Sequence, residues 1–459
     1  MSDVLAPARA GGGIESASRT APGGPDAARP LRIALVVPPY FEVPPRAYGG
    51  VESVVADLTD ALVARGHHVT LIGAGRSGTA ATFLPLWPRP IPERLGDPFP
   101  QVVHAASARR AVQRLAEGPG LDLVHDHTLA GPLNAPAYAG LGLPTVVTMH
   151  GPVNDDLYRL YRDLGTDIHL VAISDRQRAL APDLNWAGRV HNAIRVETFP
   201  FRREKGTYAL FLGRFHPEKA PHLALDAAHA AGLPLVLAGK CAAPVEKEYF
   251  EREVRPRLRA TDQVYGVADA TAKRELLAGA RCLLFPVQWE EPFGMVMIEA
   301  LACGTPVVAL RGGAVPEVVV DGVTGYIRDD PADLPDALRQ LDRIDPAACR
   351  RRVLDHFDID GLGAGYEAVY RRVLAGTATT GTRTGTTTGA PAGRAVSGGA
   401  GDRTEDPLHR LRREYGDLDA TLDRRYGRDR RRGRHGGGAH TRSAVPDAAT
   451  GPSGASTAA

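Results

Sequence analysis

Gln288-Trp289-Glu290-Glu291-Pro292-Phe293-Gly294-Met295-Val296-Met297-Ile298-Glu299-Ala300-Leu301-Ala302-Cys303-Gly304-Thr305-Pro306-Val307-Val308-Ala309 decides how this chain is read. The stretch opens with two acids in a loop and a proline that cannot donate a backbone N–H. An apolar helical segment with one acid, Glu299, follows, and a Gly-Thr-Pro turn leads into a Val-Val strand. A helix start beside a carboxylate can hold a sugar hydroxyl and an anion together. Seven residues separate Glu291 from Glu299. Upstream, Arg281–Phe285 is a short apolar run of strand type.

The same rhythm extends in both directions. Before the stretch, strands are predicted at Tyr208–Arg214, Leu235–Ala238 and Val264–Tyr265, with helices at Leu223–Ala231, Lys247–Leu258 and Thr271–Ala278. After it come helices at Leu334–Leu341 and Tyr366–Leu374. Nearer the N-terminus, Leu31–Val37 is a buried strand ending at Pro38-Pro39, and Val51–Arg65 is a helix stopped by Gly66. Strands follow at His68–Ile72, Asp122–His125, Pro144–His150 and His169–Ile173, with a helix near Ala105–Glu117. Such alternation predicts an α/β chain of two doubly wound parallel-sheet halves. Sheets of this kind bind ligands beyond the carboxyl ends of their strands. The expected boundaries are a leader at 1–29, domains at 30–198 and 199–375, and a low-complexity linker with an Arg-rich tail at 376–459. The leader lacks periodicity and the linker is nearly all Thr and Gly, so both ends are expected to be disordered. Within the tail, Leu408, Leu411, Tyr415, Leu418 and Leu422 stand at approximate helical spacing, the alternative being a short amphipathic docking helix.

Composition narrows the class. A chain of 459 residues suits two domains. No apolar run reaches the roughly 20 residues of a membrane span, and the first residues carry no apolar core of a secretory signal. Cys241, Cys282, Cys303 and Cys349 are scattered, which suits a reducing cytoplasm. The net charge of +2 says little about partners, and no nucleic-acid partner is expected.

Two more segments carry chemistry. Gly213-Arg214-Phe215-His216-Pro217-Glu218-Lys219 leaves the end of a strand with a guanidinium and an ammonium. Together these can grip two phosphates and neutralise a departing diphosphate; taken alone they read as two solvated charges. Tyr48-Gly49-Gly50-Val51-Glu52 precedes a helix start, where glycines let the backbone approach an anion. With the glutamate pair, these segments resemble family 4 of the retaining glycosyltransferases (GT4, glycosyl transferases group 1). That family has the GT-B fold, two Rossmann-like domains facing a central cleft. The resemblance covers about Leu31 to Leu374.

The resemblance implies a nucleoside diphosphate sugar donor, UDP-sugar first and GDP-mannose second, and a glycan, lipid or small-molecule acceptor. Domain 30–198 would take the acceptor and domain 199–375 the donor. Arg214, Lys219, Glu291 and His150 are the implied catalytic set. Gly49, Gly50, Arg214, Lys219, Glu291, Phe293, Gly294 and Glu299 would bind the donor, with Glu299 on the ribose and Glu291 on the sugar. His150 matches a Thr-x-His-Gly pattern beside the donor sugar, and His127, in Asp126-His127, is the implied acceptor contact. Ser174, Asn192 and the turn Gly312-Gly313 with Pro316-Glu317 match further family positions. Ala193 and Ala220 stand where the family usually has glycine. No residue is an obvious general base, which fits a leaving phosphate that takes the acceptor proton.

Several features mimic other chemistry. Gly73-Ala74-Gly75-Arg76-Ser77-Gly78 is a formal dinucleotide fingerprint, but three prolines follow where a helix should open. Asp358-Ile359-Asp360 reads as a helix cap, and Asp417-Leu418-Asp419 lies in the tail. No metal and no cofactor are expected. Arg109, Arg110 and Arg114 with Val112 and Leu115 read first as a solvated helix face; the alternative, a basic amphipathic face, leaves a peripheral membrane contact open beside a cytoplasmic placement. Two rival functions stand: a nucleotide-sugar epimerase on the same fold, and a non-catalytic scaffold recruited through the tail. Oligomeric state is left open.

Overall fold

The computed structural model describes residues 29–46 and 49–381, without the side chains of residues 378–381. Residues 1–28 of the leader, Tyr48, the chain beyond Gly381 and its Asp417-Leu418-Asp419 lie outside the described residues.

Seven strands form the first sheet: β1 (Arg32–Val36), β2 (His68–Ala74), β3 (Thr82–Trp87), β4 (Leu123–Asp126), β5 (Thr145–Met149), β6 (Ile168–Ala172) and β7 (Trp186–Arg189). Their order is β3-β2-β1-β4-β5-β6-β7, and every pairing is parallel. Six strands form the second: β8 (Ala209–Leu212), β9 (Leu235–Ala238), β10 (Gln263–Gly266), β11 (Cys282–Phe285), β12 (Val307–Leu310) and β13 (Gly325–Arg328). Their order is β10-β9-β8-β11-β12-β13, again parallel. Helices cover both faces of such sheets, so central strands are apolar throughout rather than alternating. β5, β9, β11 and β12 are buried at every position. In each sheet the strand order reverses once, between β1 and β4 and between β8 and β11. These reversals open the crevices in which doubly wound sheets bind ligands.

Three strands carried no clear sequence signal. Pro85 sits inside β3, which is tolerated because β3 is an edge strand. The Gly73–Gly78 fingerprint therefore leads from β2 toward this edge strand and not into a helix. β7 and β13 are also edges, short and less apolar. The helices Asp155–Leu164 and Pro346–His356 were likewise unsignalled; Asn154 caps the first and Asp345 the second. The expected helix Lys247–Leu258 is shorter and irregular. It runs Pro244–Tyr249, widens into a π-type turn at Phe250–Val254 and ends in a 3-10 turn at Arg255–Arg257. Pro256 has no N–H to continue the ladder.

The final helix runs Ile359–Gly381, longer at both ends than Tyr366–Leu374 and into the segment expected to be linker. Asp358 accepts the Asp360 N–H at 3.2 Å, as a cap would. Leu362, Tyr366, Val369, Tyr370 and Val373 make a helical stripe buried in the core of the first sheet, together with Leu58 and Leu62. Gly363 allows the close approach, because a Cβ there would lie 2.9 Å from the Ala61 Cβ. Burying each large side chain of the stripe contributes about 1.5–3 kcal/mol. Among the described residues no helix is long and apolar enough to cross a membrane. Val112 and Leu115, the apolar side of the basic helix, are fully buried beneath it.

Candidate active site

The two crevices face each other across a cavity of about 450 Å³. Gly49, Gly50, His150, Asn192, Arg214, Lys219, Glu291, Phe293, Gly294 and Glu299 all line it. From the first sheet, the helix Gly50–Ala64 points its N-terminus at the cavity, where its first N–H groups have no partner within the helix. Gly49 has φ +144°, a conformation open to glycine. Glu52, one turn into that helix, is 4% exposed, and burial pushes its carboxyl up to about 7.

From the second sheet, Arg214 and Lys219 follow β8. The turn after β9 crosses close above them: a Cβ on Gly239 would lie 1.8 Å from the Gly213 carbonyl oxygen. Glu246 sits behind Arg214, 3.5 Å from the guanidinium, and accepts the Ala242 and Ala243 N–H groups. Ala220 has φ +49° and is fully buried, so this family glycine position does require left-handed backbone. Ala193 shows no such strain, since Ala220 is the one non-glycine residue at positive φ among those described.

The paired glutamates are both nearly buried, Glu291 at 8% and Glu299 at 7% exposure. Glu291 is ion-paired with Lys219 and accepts the Trp289 Nε1–H at 3.0 Å. Lys219 also lies over the Trp289 ring, 4.8 Å from its centroid. The Glu291 backbone is held by a turn: Ala314 N–H donates to its carbonyl at 2.9 Å, and a Cβ on Gly313 would lie 2.1 Å from the same oxygen. Glu299 is the fifth residue of the helix Met295–Ala302, little more than one turn inside. It accepts from Lys273 Nζ at 2.5 Å. Lys240 and Lys273, which the sequence reading passed over, line the same wall and bring its cations to four. Neither stands in a glycine-rich motif; chain spacing alone carries no signal for them. The Phe293 ring packs inward against His191 and Phe357, so its share in the cavity is mostly backbone.

The histidines correct one expectation. His150 lines the cavity, but His127 does not; it is 5% exposed and lies behind His150. Its Nδ1 is 2.9 Å from His150 Nε2. The ring thus offers no face to an acceptor in this structure. Desolvation pushes His150 down to about 4 and His127 well below its ordinary value, so both are neutral near pH 7. Asp126 is fully buried, accepts from the Thr128 N–H and hydroxyl at 2.8 and 2.7 Å, and is raised by burial to about 7. Ser174 caps the short helix Asp175–Ala179 through the Gln177 N–H, which accounts for its residue type structurally. Asn192 is 4% exposed, and its Oδ1 has no protein partner among the described residues.

Glu317 joins the two halves. It accepts the Asp175 and Arg176 N–H groups, both at 2.8 Å, and pairs with His191 Nε2 at 2.8 Å. Arg176 reaches Glu290, the neighbour of Glu291, at 2.9 and 2.6 Å. Asp175, His191 and Glu317 are also the one set of three potential metal ligands among the described residues. Arg178 and Arg189 already pair with Asp175 at 3.5 and 3.2 Å, which works against a cation there.

Two facing doubly wound sheets, with cations from one crevice and a paired-glutamate helix on the cavity wall, define a glycosyltransferase of the GT-B class. Comparison with known proteins places it more closely. The family described as Glycosyltransferase Family 4 matches residues 48–190, and Glycosyl transferases group 1 matches residues 196–347. The D-inositol 3-phosphate glycosyltransferase of Acidothermus cellulolyticus is 30% identical over 344 residues, 61% of this chain and 74% of that protein. The phosphatidyl-myo-inositol mannosyltransferase of Mycobacterium tuberculosis is 27% identical over 335 residues, 67% of this chain and 84% of that one. Among solved structures, AviGT4, a glycosyltransferase involved in avilamycin A biosynthesis, is 28% identical with a TM-score of 0.58, covering 76% of this chain and 99% of its own. The chain belongs to glycosyltransferase family 4.

Proposed function

We propose that the chain moves a hexose from a nucleoside diphosphate sugar, with retention of anomeric configuration, to a hydroxyl of its acceptor. The carrying observation is the convergence of Arg214, Lys219, Glu291 and His150 on one cavity. Residues 30–198 take the acceptor and residues 199–375 the donor. Arg214 and Lys219 hold the diphosphate; once the donor is bound, cations already in place stabilise the departing charge without further reorganisation. Without ligand, Lys219 and Glu291 neutralise each other. On donor binding, Lys219 turns to the phosphate, and Glu291 is freed to accept a sugar hydroxyl. Glu299 accepts the ribose hydroxyls, and Lys240 and Lys273 add positive charge beside it. The bond from the anomeric carbon to the phosphate oxygen breaks, and the acceptor oxygen bonds the same face of that carbon. The acceptor proton passes to the phosphate oxygen. His150, neutral at physiological pH, contributes a hydrogen bond and no charge.

A UDP-sugar is the first donor to test and GDP-mannose the second; the mannosyltransferase relative supports keeping mannose in the set. Two relatives carry an inositol compound in their names, so inositol phosphates and phosphatidylinositol head the acceptors to screen. The reaction is assigned to the cytoplasm. Phe99 and Val102, 66% and 55% exposed on the helix that carries Arg109 and Arg110, are the surface a peripheral membrane contact would use. Co-sedimentation with anionic against neutral vesicles tests that contact. For the donor, a ligand that binds only the folded chain raises its melting point. A shift with one nucleoside diphosphate, insensitive to EDTA and lost in Arg214→Ala, is the expected result. No shift with any nucleotide would overturn the proposal, and isomerised donor in the absence of acceptor, seen by NMR, would mark an epimerase instead.

A further inference from the structure

The histidine pair at the cavity wall, His150 on it and His127 behind, carries an inference about how His150 presents itself to a ligand. It rests on the reading that His150 touches the donor. The two rings meet through His127 Nδ1 and His150 Nε2 at 2.9 Å. One nitrogen must carry the shared proton and the other must accept it, because each neutral imidazole has one donor and one acceptor. The remaining nitrogens then settle the choice. His127 Nε2 is buried and has no hydrogen-bond partner among the described residues. His150 Nδ1 makes no hydrogen bond among the described residues either, but it belongs to a ring that lines the cavity.

If His150 donated, His127 would carry its proton on Nε2, leaving a buried N–H with nothing to receive it. If His127 donates, the buried Nε2 is only an empty lone pair. Orphaned buried N–H groups are the rarer of the two in folded proteins. His125 does not compete for the pair. Its Nδ1 is taken by the Tyr370 hydroxyl and its Nε2 by the Thr148 hydroxyl, each at 2.8 Å. Its ring packs against His127 with centroids 4.0 Å apart, which fixes the His127 ring plane.

We infer that His127 is a positioning residue that donates from Nδ1 to His150 Nε2, and thereby holds His150 in the tautomer whose Nδ1–H faces the cavity. His150 is then a hydrogen-bond donor to an oxygen of the nucleotide sugar. It has no free lone pair on the cavity side and does not act as a base toward the acceptor hydroxyl. This agrees with proton transfer to the leaving phosphate.

The test needs no variant to begin. In protein labelled with ¹⁵N-histidine, long-range ¹H–¹⁵N spectra separate protonated from bare ring nitrogens, and a His150→Gln sample assigns the His150 signals by their loss. The expected spectrum at pH 7 shows His150 protonated on Nδ1; protonation on Nε2 overturns the inference. Substitution at His127 then links the tautomer to turnover. An asparagine side chain can place an amide N–H where Nδ1 donated, whereas an aspartate only accepts and forces the opposite tautomer. His127→Asn is expected to keep most of the turnover. His127→Asp is expected to lower kcat about 10-fold or more, the scale of partners that orient a functional histidine, with KM for the donor little changed. Equal activity of the two folded variants, checked by their melting points, would also overturn it. Full turnover in His150→Gln would instead reject the donor contact itself, while the wild-type spectrum would still report the tautomer.

Discussion

At the scale of single residues, burial decides what the polar groups here can do. Asp126 looked like part of a cleft-facing segment, yet it is fully buried, and its pKa is raised from 3.8 to about 7 by desolvation. A group whose folded pKa exceeds its unfolded value contributes stability that is complete below the unfolded pKa and is lost as pH rises through the folded one. Asp126→Asn keeps an oxygen for Thr128 and abolishes this dependence. The variant is therefore expected to gain on the wild type between pH 4 and pH 8, as read by melting curves across that range. Ala220 illustrates two opposed terms. Its left-handed backbone costs about 1–2 kcal/mol. Its buried methyl returns about 0.8 kcal/mol, and glycine would add up to about 1 kcal/mol of unfolded-state entropy. The sums nearly cancel. Ala220→Gly is expected to change unfolding free energy by less than about 1 kcal/mol in urea titrations, which explains why alanine serves at a family glycine position.

At the scale of elements, the paired-glutamate stretch depends on a turn that follows the next strand, β12. Gly313, at φ +49°, crosses the Glu291 backbone so closely that a Cβ would sit 2.4 Å from its nitrogen. The same turn donates its N–H to Glu290 at 3.0 Å. Gly313→Ala must move one segment or the other, and both positive φ and backbone overlap oppose it. The expected outcome is loss of the nucleotide-induced melting shift together with at least ~2 kcal/mol of stability; a variant that binds nucleotide like the wild type would refute this coupling. The final helix has a comparable reach. Tyr366 and Tyr370 meet Thr148 and His125, so the last described element braces the histidine layer from behind.

Across the whole molecule, the two halves are clasped by contacts of unequal worth. Arg176 and Glu290 pair with good geometry, but their side chains are 48% and 43% exposed, and such pairs contribute about 0–1 kcal/mol. Glu317 is different, at 18% exposure and with three donors converging on it. Burial by itself would raise its pKa. The hydrogen bonds from His191 and from the Arg176 and Asp175 backbone outweigh this and hold it below 4.5. A depressed carboxylate contributes stability that is present above its unfolded pKa and is lost as pH falls through the folded one. Glu317→Gln is expected to cost about 1–3 kcal/mol at pH 7, and the gap should close below pH 4.5. Arg176→Ala is expected to cost less than about 1 kcal/mol at either pH. Equal losses for the two variants at pH 7 would mean that the clasp is not centred on Glu317.

Local patterning was enough for the central architecture. β1, β5, β9, β11 and β12 are short apolar runs bounded by Gly or Pro, and a parallel strand buried on both faces has to read that way. The cavity residues from the glycine turns, the Arg214–Lys219 segment and the glutamate helix were legible too, because each lies just after a strand that local sequence marks. Edge strands β3, β7 and β13 were not, since one side of an edge is free of the demand for apolar residues and tolerates Pro85. Lys240, Lys273 and Glu246 were invisible for another reason: they reach the site from turns and helices with no motif of their own. The inward turn of His127, its bond to His150, the bracing tyrosines and the Glu317 clasp belong to tertiary structure alone. They join residues 23 to 245 positions apart, and strand order brings such residues together while spacing along the chain carries no trace of it.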